Sequence, residues 1–211
     1  MGVNEMVASE APQQNLPLQS TSLIGRDQEL VELAGALNKT RLLTLSGVGG
    51  VGKTRLALAL AERVGGSYTD GTWFVELAPV TDAVLVAQTL ARVVSVPLAP
   101  GTDPVSVLVN FFRPRQTLLI LDNCEHLLAS CATLSDALLR QCAHLQILAT
   151  SREPVGVAGE LHWRVPSLEA PIDDSLAAVK VRQYAAVELF VSRVQATLPH
   201  FALILPCQIV T

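Results

Sequence analysis

Four glycines fall within residues 47–52, and Lys53 and Thr54 follow them directly. The residues before them, 41–46, form a short run of apolar and β-forming side chains. After them, leucines and alanines recur through residues 54–63 at helical spacing. A glycine-rich loop between a strand and a helix allows few folds, because this strand–loop–helix unit is built into parallel α/β sheets.

The loop matches the pattern GxxxxGK(S/T) at every fixed position, and it reads Gly47, Val48, Gly49, Gly50, Val51, Gly52, Lys53 and Thr54. Glycines let successive backbone N–H groups turn inward on phosphate oxygens at the positive end of the following helix. Lys53 is placed to reach the β- and γ-phosphates, and Thr54 to offer its hydroxyl to the Mg²⁺ that bridges them. The motif therefore predicts a P-loop that binds Mg-ATP or Mg-ADP.

Chemistry on a phosphate needs a second anchor for the metal, normally an acid at the end of a neighbouring apolar strand. Residues 117–121 form such a strand, and Asp122 ends it. Asn123 comes next and cannot act as a base at neutral pH, so Glu125 is the nearest candidate for orienting a water molecule. Glu125 is equally suited to the start of a helix, where the helix dipole favours an acid. Both interpretations stay open.

Arg152 lies just past the next predicted strand, residues 145–149. Ligands of open α/β sheets bind at the carboxyl edge of the strands, where this guanidinium would lie. Arg152 is therefore a candidate for sensing a γ-phosphate. The alternative is a surface arginine, or one bonded to a backbone carbonyl.

Strand and helix patterns alternate along almost the whole chain. Strands are predicted at residues 41–46, 73–77, 117–121, 145–149 and 162–165, and helices at 27–38, 54–63, 82–94, 103–112, 125–142 and 184–196. Alternation of this kind predicts an α/β fold with a parallel sheet sandwiched between helices. We expect one nucleotide-binding domain at residues 21–201, with a flexible N-terminal tail at 1–20 and a short divergent tail at 202–211.

Composition excludes several classes of protein. Lys and Arg total 15 against 19 Asp and Glu, a net charge of −4, which gives no general attraction to nucleic acid or anionic lipid. Charged residues and prolines break the apolar stretches before the roughly 20 residues that a membrane span needs. Residues 1–15 do not resemble a secretion signal, so a cytoplasmic location is expected.

Cysteine and histidine show no ligand-like spacing. The four cysteines, Cys124, Cys131, Cys142 and Cys207, form no CxxC pair and are expected to be buried free thiols. The four histidines, His126, His144, His162 and His200, have no acid partner at a recognisable spacing and are expected to be structural or exposed. Trp73, Phe74 and Trp163 are expected in the core.

Taken together, these motifs resemble the STAND class of signalling ATPases, particularly the NB-ARC-like modules of bacterial LuxR- and SARP-type transcriptional regulators. The matching segments are NLP at residues 15–17, SLIGRD at 22–27, LTLSGVGGVGKTR at 43–55, WFVELA at 73–78, LDNCEH at 121–126 and LATSREP at 148–154. The resemblance implies a P-loop NTPase fold of the ASCE or AAA+-like type, a three-layer αβα arrangement. It covers nearly the whole chain, to about Phe201.

The resemblance also implies roles for particular residues. Gly25 and Arg26 would lie near the adenine, Arg55 would extend the nucleotide-binding segment, and Arg152 would take the phosphate-sensing role. The absence of a guanine-reading NKxD motif independently argues against a GTPase. Proteins of this class act as switches, in which ADP holds a closed state and ATP favours an open one.

The resemblance has a limit. Its members continue into a helical lid, a winged helix and repeats, and they carry a DNA-binding effector, so this chain is expected to be a fragment whose partners are other regulator domains or a second copy. We expect a slow ATPase switch module with no direct nucleic-acid contact. The alternatives are an ADP-binding interaction module that hydrolyses nothing and, less favoured because it needs an acceptor site, a small-molecule kinase.

Overall fold

The computed structural model describes residues 13–171 and 181–202. The helices are α1 (Asp27–Leu37), α2 (Lys53–Val64), α3 (Leu85–Val93), α4 (Pro104–Phe112), α5 (Leu128–Gln141) and α6 (Ala185–Thr197), and the strands are β1 (Leu42–Ser46), β2 (Thr72–Glu76), β3 (Thr117–Asp122), β4 (Leu145–Ser151) and β5 (Glu160–Arg164). Every helix and strand predicted from the sequence is confirmed, with shifts at several ends. The predicted C-terminal tail, apart from Ala202, lies outside the described residues.

The helices predicted for residues 82–94 and 125–142 both begin three residues later than predicted, and the second has an identifiable cause. A 3-10 turn occupies Cys124–His126, and α5 begins only at Leu128. Asn123 has a φ of 65°, a left-handed conformation that breaks the chain direction directly after β3. The helical periodicity of the following residues did not reveal this turn, so the predicted start was wrong by three residues.

All five strands are parallel, and their order across the sheet is β2-β3-β4-β1-β5. Strand β4 pairs with β3 on one side and with β1 on the other, where Leu45 lies opposite Thr150. The strand that leads into the P-loop and the strand that ends at Asp122 are thus separated by β4. This order, with helices on both faces, is the three-layer α/β arrangement expected from the sequence.

The core lies in two apolar layers, one on each face of the sheet. Alternate residues of β3 point in opposite directions, as the pleat requires. Leu119 and Leu121 therefore belong to the layer that packs against α3, α4 and α5, whereas Leu118 and Ile120 belong to the layer under α1 and α2. Because β3 is covered on both faces, all six of its residues are buried and Asp122 is held at the end of a rigid strand.

The aromatic and cysteine predictions agree with the core where the structure describes them. Trp73 is buried in the first layer, and Phe74 and Trp163 pack against the second. Three cysteines, Cys124, Cys131 and Cys142, are buried free thiols. Cys207 lies outside the described residues.

A short segment before residue 20 is attached to the edge of the sheet. The carbonyl of Gln13 accepts a hydrogen bond from the N–H of Thr72 at 3.0 Å. The Asn15 side chain donates to the Phe74 carbonyl at 2.9 Å and accepts from the Phe74 N–H at 2.6 Å. An amide side chain here takes the place of a neighbouring strand and satisfies the open edge of β2. Within the described residues, no helix is both long and apolar enough to cross a membrane.

Candidate nucleotide-binding site

The P-loop joins the buried end of β1 to the first turn of α2. Gly52 caps the helix with a φ of 94°, a conformation that favours glycine, and Lys53 is the first helical residue. The Lys53 ammonium folds back over the loop and donates to the carbonyls of Gly47 at 2.9 Å and Val48 at 3.1 Å. A positive charge and the N-terminus of a helix therefore lie together at the rim of the loop, an arrangement that favours an anion.

Asp122 faces the start of α2 across the end of the sheet. Its Oδ1 accepts a hydrogen bond from the Thr54 hydroxyl at 2.8 Å and another from the Thr150 hydroxyl at 2.6 Å. The carboxylate is buried, with only 6% of the residue exposed. The structure thus brings together Thr54 and Asp122, the two residues that the sequence predicted for the metal. It also shows that Thr150, which was not predicted, contacts the Asp122 carboxylate.

Glu125 and Arg152 form an ion pair beside the loop. The Arg152 Nε lies 3.3 Å from the Glu125 Oε1, and the two side chains are 69% and 19% exposed. The other carboxylate oxygen of Glu125 is buried and accepts no hydrogen bond from the described residues. A Cβ built on Gly49 would lie 3.9 Å from an Arg152 Nη2, so the guanidinium borders the P-loop.

Arg26 links three parts of the site. Its guanidinium donates to the Glu29 carboxylate at 2.6 Å, to the Pro166 carbonyl at 2.7 Å and to the Val51 carbonyl at 3.4 Å. The residue is only 4% exposed, so these bonds form in a desolvated setting. Arg26 therefore fastens the P-loop to the segment that follows β5, and its predicted closeness to the adenine stays a prediction.

Gly25 lies where the chain passes against α6. Its φ is 64°, and a Cβ added there would lie 2.3 Å from the Cβ of Ala185. Any side chain would strain the backbone and collide with the helix. Gly25 thus permits α6 to approach the residues that precede α1.

A cavity of about 440 Å³ opens beside the P-loop. Its lining consists of a segment before α1, the loop, the residues after β5 and one face of α6: Ser22, Leu23, Ile24, Arg26, Val48, Gly49, Gly50, Val51, Gly52, Arg55, Ser167, Leu168, Ala186, Leu189 and Arg193. Arg55 and Arg193 both bind Thr21, Arg55 through the backbone carbonyl at 2.6 Å and Arg193 through the hydroxyl at 2.9 Å. The cavity is within the usual size range of small-molecule sites, and its lining combines apolar side chains with glycines of the P-loop and three arginines.

Sequence reasoning missed two features of this region. The first is Thr150, which lies two residues before Arg152 in the sequence. The signal that could have identified it was a polar residue at the end of a predicted strand. The second is the contact of α6 with the cavity, because the helix itself was predicted but its position depends on long-range packing. His162, expected to be structural or exposed, is exposed, and its Nε2 is hydrogen-bonded to the Ser46 hydroxyl just before the P-loop.

The residues present suit Mg²⁺ shared with phosphates. Within residues 13–171 and 181–202, no three His, Cys, Asp or Glu side chains come together to hold a metal. Mg²⁺ is usually held by one or two protein oxygens together with substrate phosphates rather than by a complete protein cage. The Thr54 hydroxyl and the Asp122 carboxylate, already 2.8 Å apart, fit that requirement.

No protein-family model matches the chain. A protein of Mycobacterium tuberculosis strain H37Rv that is named as uncharacterized is 40% identical over 183 residues, which cover 87% of this chain and 44% of that protein. A second protein of that strain, whose name describes it as a proposed HTH-type transcriptional regulator, is 47% identical over 167 residues, which cover 79% of this chain and 17% of that protein. The chain thus spans less than half the length of both relatives.

Two solved structures share the fold of this chain. Cdc6p from Pyrobaculum aerophilum matches with a TM-score of 0.52 at 20% identity, over 72% of this chain and 47% of that one. A STAND protein from Pyrococcus horikoshii with a tetratricopeptide repeat sensor matches with a TM-score of 0.53 at 18% identity, over 87% of this chain and 29% of that one. The chain therefore has the AAA+-like P-loop NTPase fold.

Proposed function

We propose that this chain binds ADP or ATP with Mg²⁺ and is a slowly hydrolysing switch module of a transcriptional regulator. One observation carries the proposal. The Thr54 hydroxyl and the buried Asp122 carboxylate are in contact at the carboxyl edge of the sheet, next to a P-loop whose lysine lies over the loop carbonyls. A hydroxyl, a carboxylate and an ammonium at these positions are the groups that hold a Mg²⁺-bound phosphate chain.

Each residue has a separate task in binding. Lys53 supplies positive charge to the phosphates, and its hydrogen bonds to loop carbonyls are the ones that phosphate oxygens would replace. Backbone N–H groups of the loop, at the N-terminus of α2, would bind the phosphate oxygens. Thr54 and Asp122 hold Mg²⁺, which neutralises charge on the phosphate oxygens.

The adenine and ribose fit the cavity beside the loop. Lys53, Thr54 and Asp122 do not line this cavity, so it is suited to the other end of the nucleotide. Ile24, Leu168 and Leu189 offer apolar surface for a base, and Gly25 and Arg26 lie in the adjoining segment. The solved structure of the Aeropyrum pernix ORC2 protein, with a TM-score of 0.51, is described as holding ADPNP and ADP.

Each residue of the Glu125–Arg152 ion pair has a role in the proposed hydrolysis. Glu125 has one oxygen bound to Arg152 and one buried oxygen that has no partner in the described part of the chain, so it retains the capacity to accept a hydrogen bond from water. Arg152 borders Gly49 and is largely exposed, so it can move toward a γ-phosphate. Asn123 is not suited to this task, because its side-chain amide cannot take up a proton at neutral pH.

The regulatory role has separate support. The relative that is 47% identical is named as a proposed HTH-type regulator, and this chain corresponds to 17% of its length. A nucleotide module of that size would act on other domains of a regulator or on a second copy of itself. The net charge of −4 gives this chain no general affinity for DNA, so nucleic-acid contact belongs to other segments. We also propose that the protein acts in the cytoplasm.

A second candidate is an interaction module that holds ADP and hydrolyses nothing. The observation that favours it is the ion pair itself, because Arg152 occupies one oxygen of Glu125, the acid proposed to orient water. Calorimetry with ADP and Mg²⁺ tests binding, and single-turnover reactions with γ-labelled ATP test hydrolysis. Binding with phosphate release supports the switch; binding without release supports the second candidate; no binding overturns both.

A further inference from the structure

The Thr150 hydroxyl connects β4 to the end of β3 twice. It donates to the Asp122 Oδ1 at 2.6 Å and accepts from the backbone N–H of Asn123 at 3.0 Å. Thr150 is only 1% exposed, so both bonds lie away from water. One side chain therefore fixes both the carboxylate and the peptide that follows it.

The two hydrogen bonds to Asp122 have different origins. Thr54 belongs to the P-loop helix, and its hydroxyl is the one assigned to Mg²⁺, so the bond from Thr54 is the one that nucleotide binding would exchange. Thr150 belongs to the central strand of the sheet, paired on both sides, and its position does not depend on the loop. The bond from Thr150 can persist in either state.

We propose that Thr150 is a positioning residue that holds the Asp122 carboxylate in the orientation required for Mg²⁺-dependent nucleotide binding. The proposal rests on the proposed function and adds a residue to it. A carboxylate held by a single movable partner would rotate when Thr54 turns to the metal. The Thr150 bond prevents that rotation, and the bond to Asn123 fixes the turn that leads to Glu125.

Packing alone would not need a hydroxyl at this position. Valine has nearly the same shape as threonine and suits a buried strand well. Thr117, at the opposite end of β3, is also buried, and its hydroxyl has no hydrogen-bond partner among the described residues. The two threonines thus provide a matched pair, one with a carboxylate partner and one without.

The test compares fluorescent ADP binding in Mg²⁺ and in EDTA for wild type, Thr150→Val, Thr150→Ser and Thr117→Val, with thermal unfolding of each apo protein. We expect Thr150→Val to lose about tenfold in affinity in Mg²⁺, the size of one hydrogen bond to a charged group. Its affinity in EDTA should stay near wild type. Thr150→Ser keeps the hydroxyl and should retain most of the Mg²⁺-dependent binding, and Thr117→Val should bind like wild type in both buffers.

A double variant checks that Thr150 acts through Asp122. Asp122→Asn combined with Thr150→Val should lose no more Mg²⁺-dependent affinity than Asp122→Asn alone, because the group being positioned is already altered. If Thr150→Val does not fold, Thr150→Ala takes its place in every arm. Equal losses in Mg²⁺ and EDTA, full additivity in the double variant, or wild-type binding by Thr150→Val would each overturn the inference. Absence of ADP binding by the wild type in both buffers would instead overturn the proposed function, and the inference with it.

Discussion

At the scale of single residues, the proposed site separates into groups assigned to hold phosphate and groups assigned to respond to it. Lys53, Thr54 and Asp122 are fixed by the loop, the helix start and the buried strand end. Glu125 and Arg152 form a partly exposed pair, and exposed ion pairs contribute little to stability. The first group therefore suits binding, and the second suits a change of partner.

Replacing Lys53 by alanine tests the first group. The change removes the charge that faces the phosphates but no core atoms, so nucleotide binding should fall below detection while the unfolding temperature is kept. Calorimetry with ADP and Mg²⁺ measures the first quantity and thermal unfolding the second. Lys39→Ala, an exposed lysine just after α1, is the matched control. Wild-type affinity in Lys53→Ala would remove the P-loop from the proposal.

Replacing Glu125 by glutamine tests the second group. Glutamine keeps the shape but cannot accept a proton, so single-turnover hydrolysis should slow at least about tenfold while ATP affinity is kept, on the scale of general-base contributions. The rate of phosphate release from γ-labelled ATP is the measurement. Glu153→Gln, an exposed glutamate beside Arg152, is the control. An unchanged rate would leave Glu125 as a residue of the turn before α5.

At the scale of elements, the spacing of apolar residues predicted the helices and strands whose structure depends mainly on their own sequence. Leu33 and Leu37 recur on one face of α1, and both are buried, so the helix followed from its own sequence. The turn at Asn123 did not, because its left-handed backbone is held by Thr150 from another strand, 27 residues away in the chain. The role of Thr150 was not predicted for the same reason. A side chain's partner across a sheet depends on register, which is set by the whole sheet and not by one segment.

The edge of β2 offers an element-scale prediction. Asn15 makes two hydrogen bonds to the Phe74 backbone, so Asn15→Ala should open that edge and destabilise the fold by about 1 kcal/mol, the net value of a typical hydrogen bond or two. Chemical denaturation measures the free energy of unfolding. Gln19→Ala is the control, because within the described residues the Gln19 side chain bonds to the nearby Pro17 carbonyl and not to the sheet. Equal stability of the two variants would show that residues 13–15 do not support the sheet.

At the scale of the whole molecule, the cavity beside the P-loop is lined by segments from near both ends of the described chain. None of the residues of α6 is buried, yet Ala186, Leu189 and Arg193 line the cavity. Among the described residues, the helix is held by the close contact of Ala185 with Gly25, by the bond from Arg193 to Thr21, and by the bond from the Ala186 N–H to the Glu169 carbonyl at 3.1 Å. A helix with no buried residue is only weakly stabilised in the absence of ligand, and a nucleotide in the cavity would add to its contacts.

Binding of ADP should therefore protect α6. A ligand that contacts only the docked helix shifts the population toward the docked state by its differential affinity, and amide exchange reports that shift. In Mg²⁺ and saturating ADP, the amides of α6 should exchange more slowly than in the apo protein, whereas those of α4, which does not line the cavity, should be unchanged.

The Gly25→Ala variant separates helix docking from phosphate binding. Its Cβ would fall 2.3 Å from that of Ala185, so α6 cannot dock as it does in the wild type. The variant should lose the ADP-dependent protection of α6 while the P-loop amides are still protected. Adding Ala185→Gly removes the collision and should restore part of the protection, the remainder being lost to the strained φ at residue 25. If ADP slows exchange in the wild-type P-loop but leaves α6 unaffected, the base binds elsewhere, and the assignment of the adenine to this cavity is wrong.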